Sequence, residues 1–427
     1  MAEQVHALDD VFGVARELPL NYVVRESVDA RLVDALTRDQ HIVIYGSSKQ
    51  GKTCLRKYSL KPEDYVVVTC SNKWSLAQLH SAILKAAGYV VTGTTTKAVS
   101  GETKVSAKLK AGFRLFGQGV EGEAGTEGAR GTQEQVESTP LEIDPADVND
   151  IVDALNVAGC TQFIVLEDFH YLPEETQKDF SVALKAFHED SKYSFVVVGV
   201  WKDENRLAQQ NGDLVGRVVA IDADRWTPDE LLEVIQSGEQ LLNISFQESF
   251  KSALLDGCFD SIFVVQESCR RACENAGVLH TQEGDQREIS ANADDLIQTA
   301  VDAHSARYND FIFNFANGFQ KTELEMYRWL LWPVLNADVT DLERGLRYGD
   351  LRLTINDHHP RTPINPGNIT QALSSTASLQ VKLDVKPIIL DYNQTSRLLN
   401  VVDRSFLIWI QHQDRKDLLA LAELPYV

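Results

Sequence analysis

Gly46-Ser47-Ser48-Lys49-Gln50-Gly51-Lys52-Thr53 has the spacing G-x-x-x-x-G-K-[ST] in full. Two glycines at this spacing let the backbone curl until consecutive N–H groups point at phosphate oxygens, at the positive end of the helix that follows. Lys52 is placed to reach the β- and γ-phosphates and the Thr53 hydroxyl to bind Mg²⁺, while Cys54 is the next residue of the helix. Such a loop needs acids at the end of another strand. Phe163-Ile-Val-Leu-Glu167-Asp168 supplies four apolar residues and then two carboxylates. In one register Glu167 orders Mg²⁺ and Asp168 polarises the attacking water; in the other Asp168 takes the metal and the base is unassigned. A Glu on the metal side is unusual. The chemistry in view is nucleotide binding, with ATP or ADP as the expected cofactor, followed by slow or regulated hydrolysis.

The surrounding elements must hold these groups. His41 to Tyr45 is a short apolar run that ends directly in Gly46, and Gly51 to Arg56 opens a helix. Further apolar runs at Tyr65–Thr69, Phe163–Leu166, Phe195–Val200 and, as a candidate fifth, Val218–Ile221 read as buried strands. Helical spacing over Trp74–Ala87, Ala146–Val157 and Glu175–Glu189 alternates with them, which predicts an α/β sandwich around a mainly parallel sheet.

Residues 92–140 break the alternation. Val105, Ala107, Leu109, Ala111, Phe113 and Leu115 follow strict period two, with Lys104, Lys108, Lys110 and Arg114 between them. That pattern predicts a long amphipathic strand, with a weaker return at Gln118–Glu123. It serves either as a surface hairpin with a solvated face or as an arm that contacts a partner. Helical spacing then dominates over Pro228–Leu242, Phe246–Leu255, Phe259–Asn275 and Ala291–Phe315, as in a small helical lid. Leu324–Trp332 reads as a helix stopped by Pro333, and Asn365-Pro366 as a capped helix start. Pro387–Tyr392 and Leu398–Val402 flank a polar turn, and helices followed by such a hairpin suggest a winged helix. The expected division is 1–226 for the nucleotide domain, 227–318 for the lid and 319–427 for the winged-helix-like domain.

Bulk properties exclude several classes. The chain has 427 residues, enough for two or three domains. Its formal net charge of −21 argues against coating nucleic acid by bulk electrostatics and favours protein partners. The longest apolar runs, such as Phe195–Trp201, fall short of the roughly 20 residues of a membrane span, and Met1–His6 lacks the basic start of a secretory signal. The expected setting is cytoplasmic, with no membrane. Six cysteines form no disulfide framework, and Cys258, Cys269 and Cys273 read as buried packing rather than a metal site.

The order Tyr22-Val-Val-Arg25-Glu26, then the phosphate loop, then Leu166-Glu-Asp-Phe-His170 resembles AAA+ and STAND P-loop NTPases, including the initiator-like branch of bacterial AAA+ proteins. The resemblance covers roughly residues 12 to 305. It implies an AAA+-like sheet sandwich, adenine lying against Tyr22 to Arg25, and a lid that closes over the nucleotide. It also implies an arginine that reaches a neighbouring subunit's γ-phosphate. Arg217 in Leu214-Val-Gly-Arg217-Val218 resembles that residue, with a structural ion pair as the other reading. A lid arginine is implied too, and Arg271 or Arg270 occupies a suitable position. The polar residue usual after the fourth strand is not evident in Val198-Gly-Val-Trp201. The implied role is an oligomerising ATPase switch, with a bacterial antiviral setting and a separately encoded effector or sensor as partner. The alternative is a DNA-directed ATPase of the initiator or transposition-helper type, and a third possibility is a subunit that binds ATP and barely hydrolyses it. A DNA reader needs basic residues on the helix that enters the groove, yet Asn365–Val381 contains no Lys or Arg. A protein-docking or autoinhibitory winged helix is therefore favoured over a DNA-binding one.

Overall fold

Five short β-branched runs build the centre of the molecule: β1 (His41–Tyr45), β2 (Tyr65–Thr69), β3 (Phe163–Glu167), β4 (Phe195–Val198) and β5 (Val218–Asp222). The computed structural model describes residues 5–13, 17–91, 105–109, 140–224 and 226–426. The strands are parallel, in the order β2-β3-β4-β1-β5. A parallel sheet is covered on both faces, so its inner strands are apolar throughout rather than alternating. Every residue of β1 and β4 is accordingly buried. Val43 and Tyr45 join one core with Leu166, Phe180 and Phe195, while Ile42 and Ile44 join the opposite core with Leu55, Val165 and Val196. The fold is thus an α/β sandwich, and β5 completes the sheet. Parallel register places the carboxyl ends of all five strands on one edge, where ligands of open α/β sheets bind.

Tyr89–Val91, Val105–Leu109 and Pro140–Ile143 form a three-stranded antiparallel sheet with Val105–Leu109 in the middle. The period-two segment therefore pairs on both sides. Its expected continuation through Leu115 and the return at Gln118–Glu123 lie outside the described residues.

The lid helices follow the sheet. Pro228–Leu242 starts with a complete capping box, in which Thr227 and Glu230 each bond the other's backbone. Glu248–Gly257, Ile262–Asn275, Ala293–Asp302 and Ser305–Asn317 complete the group. The helix expected over Ala291–Phe315 is two helices, broken at Ala303–His304. Leu8, Val11 and Phe12 pack into the lid core, and the Phe12 ring lies so close to Gly238 that a Cβ there would meet it at 2.1 Å. Cys258, Cys269 and Cys273 are free and buried in the same core, as expected of packing residues.

Beyond residue 318 the core continues without a break. Tyr308 and Phe311 of the lid pack edge-on against Phe406, at ring-centroid distances of 5.3 and 5.9 Å. Helix Met326–Asn336 runs through Pro333 instead of stopping there, because Val334 and Leu335 beyond it are fully buried and their packing outweighs one missing hydrogen bond. Asn365 caps helix Pro366–Ser374 by accepting from Gly367 N–H at 2.8 Å. The expected hairpin is present as Leu390–Asn393 antiparallel to Leu398–Val401, and Leu346–Arg347 adds a third strand. Among the described residues no helix is long and apolar enough to cross a membrane.

Candidate nucleotide site

The loop between β1 and helix Lys52–Ser59 stands at the carboxyl edge of the sheet, and its backbone has the conformation the glycines were expected to allow. Gly46 and Gly51 have φ of 141° and 82°, regions that L side chains rarely adopt. A Cβ at Gly46 would also come within 2.9 Å of the Asp224 nitrogen. Asp224, just past β5, holds the loop from behind by accepting from Ser47 N–H at 2.8 Å and Ser47 Oγ at 2.7 Å. Lys52 Nζ is buried and donates to the carbonyls of Gly46 (3.0 Å) and Ser47 (2.5 Å). Burial pulls the Lys52 ammonium down to about 8 against the opposing pull of Asp224, Glu167 and Asp168.

The loop borders a cleft of about 320 Å³. Its lining combines polar groups, Lys52, Thr53, Glu167, Asp168 and His170, with the largely apolar Pro19, Tyr22, Val23, Trp226, Ile262 and Phe263. Charged and apolar groups lining one cleft suit a nucleotide. Glu167 ends β3 and accepts from Arg56 Nε of the loop helix at 2.8 Å. Asp168 follows in the left-handed region, at φ 58°. Burial, and then the neighbouring Glu167, raises its carboxyl above the usual range, while Lys52 and Lys386 oppose this. His170 is 95% buried, and neither ring nitrogen has a hydrogen-bond partner among the described residues. Burial, and next the charges of Lys52 and Arg206, keep it neutral by moving its pKa well below the ordinary value.

Several expected residues thus meet at one place: Ser48, Lys49, Gln50, Gly51, Lys52, Thr53, Cys54, Tyr22, Glu167 and Asp168 all line the cleft. Tyr22 stacks on Tyr58 at 4.7 Å and bonds Asp29, and burial raises its hydroxyl pKa. Arg25 lies behind the wall. Its guanidinium is buried over the Trp226 ring at 4.1 Å and donates to the Ala223 carbonyl. Arg270 and Arg271 both pair with Glu267 on their own helix, and it is Gln266, Ile262 and Phe263 of that helix that line the cleft. Arg217 precedes β5, at the opposite edge of the sheet from the loop, and pairs with Glu189 at 2.7 Å.

Three contributors were not singled out from sequence. Asn21 and Gln266, which both line the cleft, exchange two hydrogen bonds of 3.0 and 2.9 Å, joining segments 245 residues apart. Trp226 Nε1 donates to the Gln50 carbonyl at 3.3 Å. The third is the C-terminal module itself. Ser48 N–H donates to the Val402 carbonyl at 2.9 Å, and Arg404 Nε lies 3.7 Å from Asp224. The lid grips the same loop: Gln50 Nε2 donates to the Asp260 carbonyl and Gln50 Oε1 accepts from Ile262 N–H. Lys49 Nζ lies 2.9 Å from His304 Nε2 and 3.8 Å from the Phe263 ring centre. No local pattern announces contacts between residues so distant in sequence.

No family model matches the sequence, and no curated protein matches it. Solved structures do resemble the fold. A Walker-type ATPase of Pyrococcus abyssi aligns with a TM-score of 0.50 and 10% identity, over 94% of this chain and 99% of that one. The Orc1 protein of Aeropyrum pernix in complex with DNA aligns with a TM-score of 0.44 and 9% identity, over 98% and 97% of the two chains. Cdc6p from Pyrobaculum aerophilum gives 0.41 and 14%, over 98% and 99%. At these identities the first of the three speaks for the fold alone, in agreement with the α/β sandwich.

Proposed function

We propose that this protein is a nucleotide-regulated ATPase of the AAA+/STAND kind, in which the phosphate loop is the junction of three modules. The observation that carries this reading is the set of grips on residues 48–50. Ser48 is held by Val402 of the C-terminal module, and Gln50 by Asp260 and Ile262 of the lid. A loop held on both sides passes any rearrangement on phosphate binding to both modules, because packed contacts switch rather than stretch.

Within the cleft, ATP or ADP would present its phosphates to the N–H groups of residues 46–53 and to Lys52, with adenine by Tyr22, Val23 and Trp226. The donor set fits Mg²⁺: Thr53 offers a hydroxyl and Glu167 a carboxylate, and the ion would neutralise phosphate charge. Glu167 is oriented by Arg56, which suits the metal-side acid. Asp168, with its pKa raised by burial, suits the group that draws a proton from water. Arg217 faces away from its own loop and is assigned to the nucleotide of a second copy of this chain. The partners are then further copies and a protein effector or sensor; a bacterial defence setting rests on the family resemblance alone. Helix Pro366–Ser374 carries no Lys or Arg, which favours protein over DNA as the ligand of the C-terminal module.

Calorimetric titration with Mg²⁺ and either ATP or ADP tests the site. Lys52→Ala removes charge-assisted bonds to phosphate and is expected to weaken binding about 100-fold. Unchanged affinity in that variant would refute the reading.

A further inference from the structure

The end of β4 borders the cleft through Val198, Gly199 and Val200, and none of the three offers it a polar side chain. Val198 is buried. Gly199 admits no side chain, because a Cβ would stand 1.6 Å from the Trp201 ring. Val200 is buried in an apolar cluster with Val381, Ile388 and Val402 of the C-terminal module. Trp201 is fully buried and does not line the cleft. The strand end is therefore committed to packing.

One polar side chain lining the cleft stands uncommitted. His170 lines the cleft together with Lys52, Glu167, Asp168, Gly199 and Val200. Its main chain is fixed: the short helix Phe169–Tyr171 follows the left-handed Asp168, and the His170 carbonyl accepts from Gln177 Nε2 at 3.4 Å. Its ring is held 4.0 Å from that of Tyr171. Yet both ring nitrogens are buried and have no hydrogen-bond partner among the described residues. A buried polar group left unmatched is unfavourable, so an imidazole kept this way beside Lys52 and Asp168 points to a ligand that completes it.

We propose that His170 reads the terminal phosphate, donating a ring N–H to a γ-phosphate oxygen or to the water in line with it. The inference rests on the cleft being the nucleotide site. His170 would then be a specificity-determining residue, favouring ATP over ADP. It also borders a second cleft, of about 430 Å³, between the sheet and the C-terminal module, lined by Tyr171, Arg206, Val381 and Tyr392. The residue that senses the phosphate thus touches the surface on which the module is seated.

The test compares affinities for Mg²⁺-ADP and for Mg²⁺ with a non-hydrolysable ATP analogue, in wild type, His170→Leu and His170→Gln. One charge-assisted hydrogen bond corresponds to a loss of about 10-fold or more. His170→Leu should lose that factor for the analogue and keep ADP affinity within about twofold. His170→Gln, a neutral donor of similar reach, should recover most of the loss, which a merely structural role would not produce. If His170→Leu fails to fold, His170→Asn, too short to reach the phosphate, carries the same expectation. An unchanged ratio of analogue to ADP affinity in the folded variant overturns the proposal while leaving the nucleotide site intact. A wild type that binds neither nucleotide overturns the site itself, and this inference with it.

Discussion

Lys49 occupies a variable position of the phosphate loop, yet it is as constrained as the lysine that defines the motif. Burial lowers its ammonium to about 8; Asp403 and Glu267 oppose the shift, and Arg307 adds to it. Its contact with His304 Nε2 at 2.9 Å requires a neutral imidazole protonated on Nδ1 when the ammonium donates. Burial and the charges of Lys49 and Arg307 lower the pKa of His304, which favours that neutral form. The folded pKa of Lys49 lies below the ordinary lysine value of 10.5. Between about 8 and about 10.5 the unfolded chain therefore binds a proton that the folded chain does not, and stability rises with pH across that window. Below it both states are protonated and the folded state carries the whole desolvation cost. In nucleotide-free protein, Lys49→Met should melt above wild type near neutral pH, and the gap should close by about pH 10. A constant difference between the two melting curves over that range would show that Lys49 has no such cost. The motif revealed Lys52 because its spacing is fixed by phosphate geometry. It left Lys49 and His170 without meaning, since a buried, unsatisfied or desolvated state belongs to the surroundings and not to the residue type.

Elements were legible in proportion to how locally their causes act. Strands β1, β3 and β4 announced themselves as apolar runs, because the inner strands of a parallel sheet are covered on both faces. Helix Pro228–Leu242 begins where Thr227, Pro228 and Glu230 say it should. Helix Met326–Asn336 defied its proline because burial of Val334 and Leu335 is a tertiary effect. The seating of the C-terminal module on the phosphate loop is tertiary in the same sense. Its anchor is Arg404, 11% exposed, which donates to the Phe259 carbonyl at 2.8 Å and lies 3.7 Å from Asp224 and 3.9 Å from both Asp260 and Glu343. Arg404→Ala would remove the cation that Asp224, Asp260 and Glu343 share, Asp224 being the least exposed of the three. Since two of the three are partly exposed, the expected loss is about 1–2 kcal/mol, read from the urea midpoint. Arg404→Lys should recover only part of it, since an ammonium cannot bond the carbonyl and face the carboxylates as a planar fork does. A shift in Arg404→Ala no larger than that of an exposed substitution would mean that the module is held elsewhere, by its apolar contacts alone.

At the scale of the whole molecule, Arg217 poses the sharpest question. Val218 pairs with His41 at the start of the sheet, while the phosphate loop leaves from Tyr45 at its end. Four residues of strand separate them, roughly 13 Å, and Arg217 points to Glu189 and the Asp213 carbonyl rather than along the sheet. It cannot serve its own cleft, so its chemistry, if it has any, belongs to a second copy of the chain. A structural role predicts little: the pair with Glu189 is partly exposed, and its loss would cost about 1 kcal/mol or less. A role in trans predicts much more, because an arginine acting on a transferring phosphate contributes roughly a thousandfold or more in rate. Light scattering should show larger assemblies with a non-hydrolysable ATP analogue than with ADP, and turnover per chain should rise with concentration. Arg217→Ala should bind nucleotide normally and lose turnover. The decisive experiment mixes Arg217→Ala with Asp168→Asn in equal amounts, neither active alone. In a random assembly about one interface in four pairs an intact acid on one copy with an intact arginine on the next, so about a quarter of wild-type turnover should return. An ion pair that only braces the fold would give no recovery at any mixing ratio.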